Sequence, residues 1–201
     1  MSDLEARFRS ALRAKGRPSS DYDLNPDVSL PEGRILRDAA VLVPVVDRSG
    51  GAQIILTKRS SALKHHPGQI AFPGGKAEAG DAGPEGTALR EAFEEIALQP
   101  DQAQVLGRLP AHETVTGFQV TPVLAIVSRD FEPRPHTGEV AEVFEAPLAH
   151  VLRPENYLVE SRRWRGQRRY YFTVPWGPYY IWGATARMLR ALADRMGHDK
   201  A

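Results

Sequence analysis

The sequence predicts an α+β protein, with a mixed β-sheet sandwiched by helices, on three observations. Strand-like runs outnumber helical stretches, their order is not a regular β-α-β alternation, and amphipathic helical stripes stand at both ends and once in the middle. The chain has 201 residues, enough for one compact domain, or one domain with an extension, that needs neither disulfide nor structural metal. Apolar residues make up 42% and charged residues 25%, which excludes disorder, collagen and coiled coil. Lys+Arg 26 against Asp+Glu 25 leaves a net charge of +1, so the charge balance gives no support for a nucleic-acid partner. The absence of cysteine removes disulfide frameworks, thiolate metal sites and cysteine nucleophiles, and it fits a reducing, cytoplasmic compartment.

Leu4, Phe8 and Leu12 make one apolar stripe at the N-terminus, started by a capping-box pattern of Ser2 and Glu5, so a helix docking on the domain is expected there. The stretch lacks the uninterrupted apolar core of a signal peptide. The best apolar run, Ala39 to Val46, is interrupted by Pro44 and far too short to span a membrane. Residues 16–34, rich in Pro, Ser, Asp and Gly, read as a meandering connector. Ala39–Asp47 and Ala52–Lys58 flank Ser49-Gly50-Gly51 as a β-hairpin. A Gly/Pro-rich stretch then leads to a helical pattern over Glu85–Leu98, whose Ala88, Leu89, Ala92, Phe93 and Ile96 form its buried side. Val105–Leu109, Val120–Val127 and Val140–Phe144 read as strands. Tyr157–Trp164 and Arg168–Val174 read as a second hairpin, around Gly166-Gln167. A last helix over Ala184–Met196 carries Met188, Leu189, Leu192 and Met196 on its core side.

The chemistry gathers on the middle helix. Glu91, Glu94 and Glu95 stand at i, i+3 and i+4, so their carboxylates share one face and repel one another unless a cation sits among them. A hard divalent ion such as Mg²⁺ accepts carboxylate and phosphate oxygens together; a solvated acidic face is the plainer alternative. The loop Phe72-Pro73-Gly74-Gly75-Lys76 leaves the backbone free to fold back onto this helix.

Gly75, Asp81, Arg90, Glu91, Glu94 and Glu95 together resemble the Nudix box, G-x5-E-x7-R-E-U-x-E-E-x-G-U, where U is a bulky apolar residue. The chain departs from it in four places: Asp81 stands for Glu, one extra residue precedes Arg90, Ala97 replaces the last glycine, and the small Ala92 takes a U position. Upstream, Ile55-Leu56-Thr57-Lys58-Arg59-Ser60, then Lys64, Gly68 and Phe72-Pro73-Gly74-Gly75, is similar at every spacing to the signature L-L-T-x-R-[SA]-x3-R-x3-G-x3-F-P-G-G of the coenzyme A pyrophosphatase branch. Lys64 keeps the charge of the signature arginine without its forked geometry. The likeness runs from about Ala39 to Leu189. It divides the chain into an N-terminal helix and connector (1–34), a Nudix hydrolase domain (35–197) and a short tail (198–201).

The resemblance implies a Nudix-like α/β/α sandwich and metal-dependent hydrolysis of the diphosphate in coenzyme A, or its acyl or oxidised forms, to adenosine 3′,5′-bisphosphate and 4′-phosphopantetheine. Another nucleoside diphosphate derivative (NADH, ADP-ribose, a nucleoside triphosphate) is the alternative substrate, and a non-catalytic ligand-sensing domain the alternative class. Mg²⁺ or Mn²⁺ would be held by Glu91, Glu94 and Glu95. Arg90 would orient these carboxylates or touch substrate, and Asp81 would orient Arg90 or cap the helix region. The general base would be a box glutamate such as Glu94, or a later acid, Glu139 or Glu142. Arg59, Lys64, Gly74 and Gly75 would bind substrate, a small molecule rather than a nucleic acid or membrane. Homodimers are common in the family. His65 and His66 are assigned no role. The basic run Ser161–Tyr170 reads as a solvated hairpin face, with an RNA patch or a site for the extra phosphate of coenzyme A as alternatives.

Overall fold

A computed structural model describes residues 3–164 and 166–197; the tail 198–201 and the capping residue Ser2 lie outside them. Helix α1 (Asp3–Arg13) is followed by β1 (Ser19–Ser20), β2 (Arg37–Arg48), β3 (Gly51–Arg59), β4 (Ile70–Ala71) and β5 (Gly74–Lys76). Helix α2 (Gly83–Ile96) leads to β6 (Ala103–Arg108), β7 (His112–Glu113), β8 (Phe118–Val127) and β9 (Val140–Pro147). The short α3 (Leu148–Val151), the hairpin β10 (Leu158–Trp164) with β11 (Gln167–Thr173), and α4 (Gly183–Gly197) complete the order.

Among the described residues nine strands form one mixed sheet, β1-β7-β8-β2-β3-β4, with β5 paired to β2, β6 to β8 and β9 to β3. Its spine is β2 beside β8 in parallel, from Arg37↔Phe118 to Val46↔Val127. Period-two alternation along β2 sends Ala40, Leu42 and Val46 to one face and Val43 and Val45 to the other, and each face builds its own core. The first face takes α2 through Ala88, Ala92 and Ile96. The second takes α1 and α4 through Phe8, Leu189, Leu192 and Met196. This is the expected α/β/α sandwich.

Pro44 sits within this central strand, where a missing N–H would ordinarily break a ladder. Along that edge β2 pairs with β5 at residues 39–41 and with β3 at 45–48, so the proline falls in the gap between partners. The α1 stripe docks as expected, with Phe8 buried and Leu4 and Leu12 packed against the core. Its C-terminal carbonyls, which a helix leaves unpaired, are met by a buried arginine of α4: Arg195 Nη1 donates to Ala11 O at 3.0 Å and Ala14 O at 2.6 Å.

The structure departs from the sequence reading in several places. The connector is pinned rather than meandering: β1 pairs in parallel with β7, and Asn25 grips the backbone of Tyr170 in both directions, at 2.9 and 2.8 Å. The glycine loop contains a strand, β5, too short and side-chain-poor to show a period. Phe93, expected on the buried side of α2, is 47% exposed, because Ala88 and Ala92, both at 0%, are the residues that face the sheet. The smallness of Ala92 thus reflects a helix laid directly on the strands.

Ala97 ends α2 in the left-handed region at φ 61, and its N–H and that of Leu98 return to Phe93 O and Ala92 O. This is the position where glycine is favoured, because a Cβ there costs roughly 1–2 kcal/mol. We expect Ala97→Gly to stabilise the fold by about 0.5–1 kcal/mol, after allowing for glycine's freedom in the unfolded chain. Urea unfolding checks this; an unchanged or lower midpoint would contradict it.

Candidate active site

Helix α2 is tied to the loop before it through Arg90. Nε and Nη2 bridge both oxygens of Asp81 at 2.9 and 3.2 Å, Nη2 also reaches Lys76 O at 3.0 Å, and Nη1 reaches Glu91 and Glu94 at 3.1 Å each. Asp81 in turn accepts from the Thr87 hydroxyl and the Glu78 N–H, both at 2.8 Å. The guanidinium pairing and these donors hold the Asp81 carboxyl well below its usual range, and raise Arg90 further above its own. Asp81 therefore anchors Arg90, and Arg90 holds Glu91 and Glu94.

The glutamates are unequal. Glu95 is 5% exposed and accepts the Gly74 N–H at 3.2 Å. Burial pushes its carboxyl up to about 7; the Gly74 N–H opposes this, the charge of Glu91 adds to it, and Arg59 and Glu139 exert smaller opposing effects. Burial also raises Glu91, against the pull of Arg90. Glu94 is the outer member, with its side chain 54% exposed. Among the described residues no cluster of three His, Asp or Glu side chains stands ready-made around one ion. Arg90 is drawn onto Glu91 and Glu94 instead.

Gly75 explains how the strand reaches this helix. A Cβ on Gly75 would lie 2.3 Å from Glu91 Oε1, whereas one on Gly74 would lie 2.5 Å from Ala40 O and 2.6 Å from Val41 Cα. The first glycine makes room for a carboxylate, the second for a neighbouring strand.

Beside this corner, on the α4 side of the sheet, lies a cavity of about 300 Å³. Arg59 and Gly74 line it and also act on Glu95, so the cavity and the acidic corner share a wall. His66, at φ 54, lines it from the loop after β3; Lys64, two residues earlier, is exposed. Glu139 is exposed at the start of β9, close enough for its charge to raise both Glu91 and Glu95. Glu142 is placed elsewhere. It shares the α4-facing side of β9 with Phe144, and the Tyr179 hydroxyl donates to it.

Trp182, Tyr171 and His66, which the sequence left without a site role, line the cavity, as do Arg162 and Arg169 of the run read as a solvated face with a phosphate site among its alternatives.

Two outcomes follow from this geometry. The folded protein holds the Glu95 proton at about 7 against an ordinary 4.5, so this group favours folding below the lower value and the benefit is lost as pH rises through the upper. Without metal, the melting temperature should therefore fall as pH rises through this window, and Glu95→Gln should flatten that dependence; parallel profiles would contradict the assignment. Gly75→Ala should weaken Mn²⁺ binding about 10–100-fold by displacing Glu91 while leaving stability within about 1 kcal/mol. Gly74→Ala should instead cost about 2–3 kcal/mol of fold stability. Mn²⁺ titration and denaturant melts separate the two, and equal stability losses would sink the distinction.

The NUDIX domain family matches residues 36–171. The chain is 45% identical over 161 residues to a protein of Cronobacter sakazakii named uncharacterized Nudix hydrolase NudL, covering 80% of this chain and 83% of that one. Its identity to the protein of the same name from Klebsiella pneumoniae (strain 342) is 40% over 189 residues, covering 89% and 98%. Among solved structures, the MutT protein from Methanosarcina mazei Go1 superposes with a TM-score of 0.53 at 16% identity, over 86% of this chain and all of that one. The Nudix hydrolase RenU from M. smegmatis does so at 0.50 and 24%, over 60% and 83%. The structures carry the fold and the sequence matches carry the kinship: the chain belongs to the Nudix family of hydrolases.

Proposed function

We propose that this hydrolase cleaves the diphosphate of coenzyme A, giving adenosine 3′,5′-bisphosphate and 4′-phosphopantetheine. The observation that carries the reading is the shared wall: Arg59 and Gly74, both in the upstream signature, border the cavity and act on Glu95 at once. A substrate lying in the cavity would present its phosphates at that wall.

The donor set at the corner fits Mg²⁺ or Mn²⁺. Glu91 and Glu95 are hard oxygen donors, partly desolvated and mutually repelling, and Gly75 leaves the space that Glu91 fills. These two carboxylates would hold the ion, with Glu94 turning in from the rim once released by Arg90. When bound, the ion neutralises phosphate oxygens and makes a nearby water more acidic. Arg90, fixed by Asp81, keeps the carboxylates aimed and does not need to touch substrate. Arg59 would bind a phosphate oxygen: its Nε is buried with no hydrogen-bond partner, an unmet donor beside the cavity. Lys64 would add charge from the loop carrying His66. Glu139 is the better placed of the later acids to take the proton from attacking water, since the Tyr179 hydroxyl already engages Glu142.

Product analysis by chromatography tests the assignment, with coenzyme A, NADH, ADP-ribose and a nucleoside triphosphate each incubated with Mg²⁺ or Mn²⁺. The bisphosphate should form from coenzyme A, the other three should turn over at least about ten times more slowly, and Glu95→Gln should lower the rate about 100-fold or more. Cleavage of another substrate in preference would keep the hydrolase and overturn coenzyme A. Turnover unaffected by Glu95→Gln would overturn the metal site.

A further inference from the structure

The β10–β11 hairpin is the feature that the diphosphate chemistry leaves unused. Its register sets Arg162 directly opposite Arg169, and Arg163 opposite Arg168 in the next pair. Successive pairs on a hairpin face opposite sides. Arg162 and Arg169 line the cavity shared with Arg59. Like charges directly across a ladder repel, and this pair faces the same concave site as Arg59, which concentrates positive charge there.

Both guanidiniums are held by aromatic rings. Arg162 stands 4.3 Å from the ring centre of Trp182, and Arg169 lies 5.5 Å from that of Tyr22. Tyr171 meets Trp182 edge-on at 5.2 Å. Stacking on a ring pre-orders the planar fork that grips phosphate in two places. Asp21, the carboxylate that lines the same cavity, is committed: His112 Nε2 lies 3.2 Å from its Oδ1, and the Val115 N–H donates to its Oδ2 at 2.8 Å.

We propose that Arg162 and Arg169 form a subsite for a phosphate monoester remote from the scissile diphosphate, beside a ring platform at Trp182 suited to a nucleobase. The ligand class is a nucleoside carrying two separate phosphates rather than one. This rests on the reading that the diphosphate lies against Arg59 and the acidic corner, and gives that site its means of selecting coenzyme A over its 3′-dephospho form.

Titration calorimetry with adenosine 3′,5′-bisphosphate and adenosine 5′-monophosphate tests the subsite without turnover. The bisphosphate should bind the wild type at least about 10-fold more tightly than the monophosphate. Arg162→Gln should abolish that preference, Arg162→Lys should restore part of it, and Arg163→Gln, on the other hairpin face, should leave it intact. Equal binding of the two nucleotides by the wild type, or equal losses in Arg162→Gln and Arg163→Gln, would overturn the subsite. In turnover, Arg162→Gln should raise KM for coenzyme A about 10-fold and leave that for 3′-dephospho-coenzyme A unchanged. Failure of the wild type to cleave coenzyme A would overturn the proposed substrate, while the binding preference would still decide the subsite.

Discussion

One guanidinium holds the site together. Arg90 has five N–H donors, and the structure gives it five acceptor contacts: two to Asp81 and one each to Lys76 O, Glu91 and Glu94. Without it the acidic face of α2 would be three repelling carboxylates, two of them largely removed from water. With it, the loop from β5 is fastened to the helix, and the glutamates are held near one another at a tolerable electrostatic cost. Asp81 is what makes Arg90 an anchor rather than a loose counter-ion, because it fixes the fork at both oxygens.

The scaffold makes this possible through small residues rather than large ones. Ala88 and Ala92 lay α2 directly on the sheet, and Gly74 and Gly75 bring β5 between β2 and the helix. Closeness raises the proton affinity of Glu95, since burial of a carboxylate disfavours its charge. A cation bound there would replace that proton, coupling metal binding to pH. The opposite face of the sheet carries the cavity, so one strand end serves both halves of the site: Arg59, at the end of β3, lies where they meet.

Much of this was legible in the residues. The acidic face of α2 and the hairpin of β2 and β3 follow from period and spacing, the box from its resemblance to a family, and the strand reads through Pro44, whose missing N–H falls between partners. What stayed hidden was set by tertiary contact. Phe93 has the character of a core residue and becomes exposed only because two alanines take its place against the strands. Asn25 looks like a loop residue, and its two hydrogen bonds with the Tyr170 backbone span a sequence separation of 145. Glu139 and Glu142 look equivalent in sequence; the fold leaves Glu139 exposed ahead of β9 and sets Glu142 at the Tyr179 hydroxyl. The cavity wall of Arg162, Arg169 and Trp182 joins segments that no local pattern connects.

We propose that Glu91, aimed by Arg90 and Asp81, and Glu95, held at the Gly74 N–H, are the metal-binding carboxylates. Anomalous scattering from crystals soaked in Mn²⁺ tests it most directly. A peak is expected between Glu91 and Glu95 beside the Gly74-Gly75 backbone, with the Arg90–Asp81 pair intact. A peak held instead by Glu142, or by Glu94 with Glu95 still bound to the Gly74 N–H and free of metal, would contradict it.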